Sequence, residues 1–134
     1  MAWIPRDITD SELAVLRALW QTEAATIRQL TDQLYPGGRP AHYATVQKLL
    51  ERLERKSCVE RRLEGRVNVF RATVERGEII RRRLRELADK VCGGSLTPLL
   101  THLVDSGGLS EEELTTLREL VDRLDGETAR ESAG

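Results

Sequence analysis

The first half of the chain repeats a helix signal three times and then changes to a strand signal. In each of the three segments the apolar residues recur at intervals of three or four, the period of one helical face. Thr9 and Thr26 are each followed three positions later by Glu or Gln, the spacing of a capping box at a helix start. Pro40 suits the first turn of the third helix. The sequence therefore predicts three short helices between about residues 10 and 56.

The strand signal lies in the stretch CVERRLEGRVNVFRATV, which begins at Cys58. Val59, Arg61 and Leu63 alternate with Glu60 and Arg62, and a second β-rich run from Val67 to Phe70 follows a Glu-Gly turn. This pattern predicts a β-hairpin. Three helices followed by a hairpin is the order of a winged helix-turn-helix, whose third helix enters the DNA major groove and whose hairpin lies beside the phosphates.

The second half of the chain is rich in leucine and helical in pattern. Helices are predicted from about residue 76 to 92, after Ser95 and after Ser110, with CGGS and DSGG between them. Their apolar stripes are too large to be hidden against one another, so they either fold back on the first half or meet a partner. We favour dimerisation, because a two-fold partner doubles the DNA contacts. The residues predicted to line the dimer interface are Ile80, Leu84, Leu99, Leu100, Leu103, Leu117, Leu120, Val121 and Leu124.

The predicted fold class is mainly α with a small β-hairpin. We expect a winged-helix DNA-binding domain over residues 1–74 and a helical dimerisation domain over residues 75–126. Residues 127–134 belong to the polar stretch DGETARESAG, which we expect to be a disordered tail.

Positive charge is concentrated in one part of a nearly neutral chain. The formal net charge is -1, but residues 39–71 contain nine Lys and Arg against four Asp and Glu. A local excess of positive charge is what a polyanion-binding face requires, although most charged runs are only solvated surface. The chain has two Trp, two Tyr and one Phe, too few for aromatic stacking on single strands to be its main activity.

The predicted third helix combines an apolar face with a face of small, hydrogen-bonding and cationic groups. Ala44 could touch a thymine methyl, and Thr45 and Gln47 can hydrogen-bond to base edges. Lys48 and Arg52 can reach guanine or phosphate. The residues predicted to form the apolar face are Val46, Leu49, Leu50 and Leu53. The residues predicted to contact double-stranded DNA are Arg28, His42, Tyr43, Ala44, Thr45, Gln47, Lys48, Arg52, Arg62 and Arg66.

Two residues near this face have open roles. Glu51 would repel phosphate unless it accepts a hydrogen bond from cytosine or pairs with Arg55. His42 suits a phosphate contact or an ordinary surface position better than a catalytic base.

Enzymatic chemistry has no support in the sequence. His42 and His102 are isolated, and no nucleophile, paired carboxylate or Gly-rich phosphate loop accompanies them. The main alternative to DNA binding is a winged helix that docks its basic face on an acidic protein. A steep salt dependence of binding to duplex DNA would distinguish the two.

The chain shows no signal for a membrane, an export route or a metal. No apolar run approaches the ~18–20 residues of a membrane span, and the start MAWIPRDITD lacks a secretory pattern, so we expect a cytoplasmic protein without membrane insertion. Cys58 and Cys92 fit no metal-ligand spacing and are interpreted as reduced structural thiols, with a redox or metal-sensing pair as the minor alternative. No cofactor is expected.

An ordered set of motifs resembles the penicillinase repressor family of the BlaI/MecI type. The motifs are ITDSELAVLRALW, TVQKLLERLERK, the EGR turn, GGS and LSEEELTTLRELVDRL, and they span roughly residues 8–124. The resemblance implies a dimeric winged-helix repressor that binds an inverted-repeat operator, with the last helices of each subunit interlocked with those of its partner.

The resemblance also assigns roles within the third helix. Thr45 and its neighbours would face bases, while the apolar face would be core. Lys48 departs from the family pattern, and His42 with the preceding alanine replaces the usual Trp-Ser. Ser57 stands where the family usually has glycine, and a left-handed serine there would cost roughly 1–2 kcal/mol.

Some members of the resembling family are inactivated by proteolysis in the helix that corresponds to Leu96–Asp105. The staphylococcal cleavage position, Asn-Phe, aligns here with His102 and Leu103. The scissile pair has therefore changed, so either the protease differs or this route has been lost, and a regulatory protease is only a candidate partner. The interpretation of His102 and Leu103 as ordinary helix residues is at least as well supported. A copper-sensing branch of the family has cysteines in its tail, which this chain lacks.

Overall fold

A computed structural model describes residues 8–133 of the chain. These residues form two compact units, the first ending at Glu86 and the second beginning at Leu87. They contain six helices and two strands: α1 (Asp10–Thr22), α2 (Ile27–Leu34), α3 (Pro40–Arg55), β1 (Val59–Glu64), β2 (Val67–Ala72), α4 (Arg76–Val91), α5 (Thr97–Asp105) and α6 (Glu111–Ala133). The predicted fold class, a winged helix-turn-helix followed by a helical segment, is confirmed.

Two predicted capping boxes fix the starts of α1 and α2. The backbone N–H of Thr9 donates to the carboxylate of Glu12 at 2.8 Å, and the N–H of Glu12 donates to Thr9 Oγ1 at 3.2 Å. Thr26 and Gln29 make the same reciprocal pair at 2.8 and 3.1 Å. These bonds satisfy N–H groups that have no partner inside the helix, so both helices begin where the sequence indicates.

The core of the first unit forms where the three helices pack together with the hairpin. All four residues of the predicted apolar face of α3 are buried. The largest fully buried side chains include Leu16, Leu19, Leu30, Leu50, Leu53 and Phe70. Each fully buried leucine is worth about 1.5–3 kcal/mol relative to an exposed one. This burial fixes which face of α3 points inward and leaves its polar face exposed.

The hairpin is joined to the helices by an isolated β-bridge, in which one residue between α1 and α2 pairs with β2. β1 and β2 pair antiparallel with Glu64 opposite Val67, so Gly65 and Arg66 form the loop. At the other end Ala25, between α1 and α2, exchanges two backbone hydrogen bonds with Phe70, at 2.8 and 3.0 Å. The sequence does not predict this bridge, because a single bridging residue has no alternating pattern.

The end of α3 depends on Ser57 in a left-handed conformation, with φ of 61°. The N–H of Cys58 donates to the carbonyl of Leu53 at 2.8 Å, and the N–H of Ser57 donates to that of Glu54 at 3.0 Å. These two bonds form a Schellman motif, which usually has glycine at the left-handed position. The helix therefore ends as it would with glycine, and the chain retains a strained serine at a cost of roughly 1–2 kcal/mol.

The last helix extends further than predicted. Residues 127–134 were expected to be a disordered tail, but α6 continues to Ala133, and residue 134 lies outside the described residues. Gly126 costs about 1 kcal/mol relative to alanine inside a helix, whereas the glutamates, alanines and arginine that follow favour helix. Within residues 8–133 no helix has both the length and the apolar composition that a membrane crossing needs.

Candidate nucleic-acid interface

The outer face of α3 is exposed and polar, as predicted. Ala44, Thr45 and Gln47 lie on it near the start of the helix, and Lys48 and Arg52 follow. The Thr45 hydroxyl donates to the carbonyl of residue 41, one turn earlier, at 3.0 Å. Thr45 therefore presents its methyl group and an acceptor oxygen outward, while its proton is used inside the helix. A threonine in this state can touch a thymine methyl or accept from an exocyclic amine.

A cleft beside this face collects three of the predicted DNA contacts. Arg28 from α2, Tyr43 from α3 and Arg66 from the hairpin loop all line it, and its volume is about 470 Å³. The remaining lining residues are Thr26, Ile27, Val67 and Asn68. The cleft contains two guanidinium groups, a phenol and an amide, and no carboxylate. A cleft with this many hydrogen-bond donors is suited to binding a phosphate of a DNA backbone.

Several residues of this cleft were missed from the sequence. Thr26 and Asn68 come close to Tyr43 only because the hairpin packs back on α2 and α3. Asn68 follows the first residue of β2 and gave no signal of its own beyond polarity in a strand. Its position opposite Leu63 in the hairpin register could have placed it near the loop.

A second group of residues at the start of α3 surrounds His42. The backbone N–H of Arg39 donates to His42 Nδ1 at 3.0 Å. The imidazole stacks on Tyr35, with ring centroids 4.4 Å apart and planes 3° from parallel. His42 is half-buried, whereas the neighbouring Tyr43 is exposed. His42, which was predicted to contact phosphate, therefore also accepts a hydrogen bond from the backbone N–H of Arg39.

The base of the hairpin is tied to α3 by an ion pair. Arg61 makes two hydrogen bonds to the Glu54 carboxylate, at 2.8 and 2.7 Å, and its guanidinium lies 5.1 Å from the centre of the Phe70 ring. The hydrogen bonds from Arg61 hold the pKa of Glu54 below its ordinary value despite the opposing effect of burial. Arg61 is consequently engaged within the fold, while Arg62 and Arg66 remain exposed on the hairpin.

Glu51 does not pair with Arg55 in the described part of the chain, since no ion pair within 4 Å joins them. The pKa of Arg61 is raised chiefly by its hydrogen bond to Glu54, with a smaller contribution from the negative charge of Glu51. Of the two roles left open for Glu51, the base contact therefore remains a prediction.

Metal and thiol chemistry find no support in this region. Among residues 8–133 no group of His, Cys, Asp and Glu could hold a metal ion. Cys58 and Cys92 are free thiols, and Cys58 is fully buried. Burial raises the pKa of the Cys58 thiol to about 11, so it stays protonated and unreactive at neutral pH. This agrees with the interpretation of Cys58 as a structural thiol.

The helices after the hairpin present much apolar surface. Seven of the predicted interface residues are exposed large hydrophobic side chains: Ile80, Leu84, Leu100, Leu103, Leu120, Val121 and Leu124. The other two, Leu99 and Leu117, are half-buried. Inside the second unit, a groove of about 360 Å³ between α5 and α6 is lined mainly by leucines. Surface of this kind usually marks a contact with another chain.

Known proteins are similar to this chain over nearly its whole length. A family model described as penicillinase repressor matches residues 8–123. A 16.5 kDa protein of Latilactobacillus sakei is 31% identical over 121 residues, covering 90% of this chain and 82% of that protein. The penicillinase repressor of Bacillus licheniformis is 23% identical, covering 91% and 94%. The methicillin resistance regulatory protein MecI of Staphylococcus aureus is 22% identical, covering 87% and 94%.

Two solved structures of MarR from E. coli match this chain at low similarity. A mutant of that protein, complexed with operator DNA, matches with a TM-score of 0.46 and 23% identity, covering 90% of this chain and 77% of that chain. The oxidised form of the same protein matches with a TM-score of 0.47 and 21% identity, with the same coverage.

Proposed function

The chain belongs to the penicillinase repressor family of DNA-binding transcriptional regulators, and we propose that it is a dimeric repressor of an inverted-repeat operator. The observation that carries the proposal is the exposed polar face of α3 beside a cleft with two arginines and no carboxylate. A helix with a polar outer face can enter the major groove while the cleft holds a backbone phosphate.

The two parts of this surface have different tasks. Thr45 and Gln47 on α3 read base edges, because both side chains can hydrogen-bond there and the small Thr45 lets the helix approach the bases closely. Arg28, Tyr43 and Arg66 hold the phosphate backbone and contribute affinity for any sequence.

Dimerisation supplies a second DNA-binding unit for the second half-site of the operator. The exposed leucines and valines of α5 and α6 would be covered by a second copy of the chain, since burying each large side chain is worth about 1.5–3 kcal/mol. Two linked DNA-binding units then bind two half-sites with far greater affinity than one unit binds one. An inverted repeat is the operator symmetry that a two-fold dimer requires.

The division of tasks predicts that two variants change DNA binding in different ways, one in sequence preference and the other in overall affinity. Thr45→Ala should relax the preference for one base pair in each half-site by about 1 kcal/mol. Arg66→Ala should weaken binding to all duplexes alike and reduce the salt slope of the binding constant by about 0.9 per lost phosphate contact and subunit. The measurement is fluorescence anisotropy over a salt series, with an operator selected from random duplexes and with scrambled DNA.

Matched controls come from the same chain. Thr115 on α6 makes the same hydroxyl-to-carbonyl bond as Thr45, at 3.0 Å, and Thr115→Ala should leave sequence preference unchanged. Arg17→Ala on α1 removes an exposed arginine away from the cleft and should leave the salt slope unchanged. Wild-type protein that binds no duplex in a salt-dependent way would contradict DNA binding and favour an acidic protein partner instead.

Release from DNA by proteolysis is part of the proposal. Helix α5 has nine residues and no buried side chain, and glycine pairs lie before and after it, so it can unfold locally at little cost to the core. Cutting at His102-Leu103 would separate α6 from the DNA-binding unit. We expect induced cells to contain the two fragments, identified by mass spectrometry. An intact chain in cells whose controlled genes are switched on would exclude this route.

A further inference from the structure

The first turn of α3 is capped by a residue that differs from those at the other capped helices. In α1, α2 and α6 the third helical residue is Glu12, Gln29 or Glu113, and its side-chain oxygen accepts the backbone N–H of the residue before the helix. In α3 the equivalent residue is His42, and the acceptor is the ring nitrogen Nδ1, 3.0 Å from the N–H of Arg39. Among these four helices, α3 is therefore the only one whose cap is an imidazole.

The surroundings of His42 hold the ring in one orientation. The imidazole lies parallel to the Tyr35 ring with centroids 4.4 Å apart. A Cβ atom at Gly38 would lie 2.8 Å from the Tyr35 carbonyl oxygen and 3.0 Å from His42 Nδ1, so the loop passes too close to the ring for a side chain at that position. Because Nδ1 accepts a hydrogen bond, the proton of the neutral ring is on Nε2.

Protonation of the ring is incompatible with this arrangement. A proton on Nδ1 would oppose the N–H of Arg39, and the start of a helix disfavours positive charge. The groups that face the ring are the Tyr35 phenol from the end of α2 and Arg39 from the loop. A second pocket at the start of α3, distinct from the cleft described above, adds Arg28 and Asp32 from α2. Among the described residues no carboxylate forms an ion pair with His42 that would stabilise its charged form.

We propose that neutral His42 is a positioning residue for DNA binding, which holds the first turn of α3 through its Nδ1 cap and its stack on Tyr35 and releases it on protonation. The proposal rests on the proposed function, because the residues that follow His42 in α3 are those assigned to base contacts. A histidine beside DNA ordinarily increases affinity when it becomes charged, since phosphate attracts it. Here the lost cap outweighs that attraction, so acid weakens binding.

The test compares wild type, His42→Gln and His102→Gln on the selected operator at about pH 7.5 and about pH 5.5, on either side of the ordinary histidine pKa. Wild type should lose about threefold to tenfold in affinity at the lower pH, the range expected for one helix cap. His42→Gln keeps a side-chain acceptor, as Gln29 does in α2, and should show no such loss. His102→Gln changes the other histidine of the chain and should keep the wild-type profile. Circular dichroism at both pH values verifies that each variant is folded.

Nuclear magnetic resonance of the free protein gives an independent measurement. The ¹⁵N shifts of His42 should show a proton on Nε2 and none on Nδ1 at neutral pH, and the Arg39 amide signal should move when the pH is lowered to about 5.5. Affinity that is constant or rises in acid, an unchanged profile in His42→Gln, or a proton on Nδ1 would each overturn the proposal. Failure of wild type to bind any duplex would instead remove the proposed function, while the resonance data would still decide whether the cap exists.

Discussion

Replacing Lys56 by methionine is expected to lower the free energy of unfolding by about 3–5 kcal/mol, the cost of leaving a buried charge without its partner. Glu12 on α1 is fully buried, and both of its carboxylate oxygens accept from Lys56 Nζ, at 2.6 and 2.9 Å. The same carboxylate accepts the backbone N–H of Thr9. Urea unfolding of wild type and Lys56→Met at neutral pH measures the difference.

The pH dependence of that difference identifies its cause. Burial raises the pKa of Glu12, but the hydrogen bonds from Lys56 and Thr9 together outweigh it and hold the pKa below the ordinary value. The ion pair therefore stabilises the wild type at neutral pH, and this stabilisation is lost as the pH falls through the lowered pKa. In Lys56→Met the lone carboxylate is relieved by protonation, so the two proteins should approach each other in stability in acid.

A double variant separates charge from packing. Glu12→Gln with Lys56→Met has no buried charge and should regain most of the stability that Lys56→Met loses. A stability gap that is the same at every pH, or a double variant as unstable as Lys56→Met, would show that Lys56 acts through its packing alone.

Placing charge on the apolar face of α6 is expected to remove tight operator binding. Leu120 and Leu124 are 43% and 61% exposed, and both are on the stripe proposed to meet the second copy. Leu120→Asp with Leu124→Asp would place two unpaired carboxylates in that contact, where their desolvation is costly. The variant should be a monomer and should lose roughly 10²-fold or more in affinity for DNA with two half-sites.

The readout that isolates dimerisation is DNA with a single half-site. Affinity for that duplex should be unchanged, because α3 and the hairpin are untouched. Thr115→Asp, on the opposite face of α6, is the matched control and should remain a dimer with full affinity. Analytical ultracentrifugation gives the oligomeric state. A wild-type chain that sediments as a monomer at micromolar concentration would contradict the interface.

The features that could be predicted from the sequence are those determined by neighbouring residues. The starts of α1 and α2 follow from capping boxes only four residues long, and the buried face of α3 follows from its period. The hairpin follows from alternation around Gly65, which has φ of 67° in its tight loop. Each signal lies within one turn or one strand of the structure that it predicts.

The features that could not be predicted depend on contacts between distant residues. Lys56 meets Glu12 across 44 positions, and no local pattern distinguishes it from the exposed cations of α3. Arg61 alternates correctly for a strand but takes its partner, Glu54, from the preceding helix. The cap at His42 has the right spacing from Arg39, yet histidine is not an expected capping residue, so the spacing alone does not predict it.

The hairpin that bears Arg66 is fixed to the helices away from its loop, and the loop itself is the free end. Two contacts hold the hairpin in place. Arg61 on β1 pairs with Glu54 on α3, and Phe70 on β2 forms a backbone bridge with Ala25. The free end is a two-residue loop, and the residues of β1 after Val59 are exposed. We therefore expect the hairpin to bend mainly at this loop, which would let the Arg66 guanidinium follow a phosphate as groove width varies between operators while α3 keeps its register.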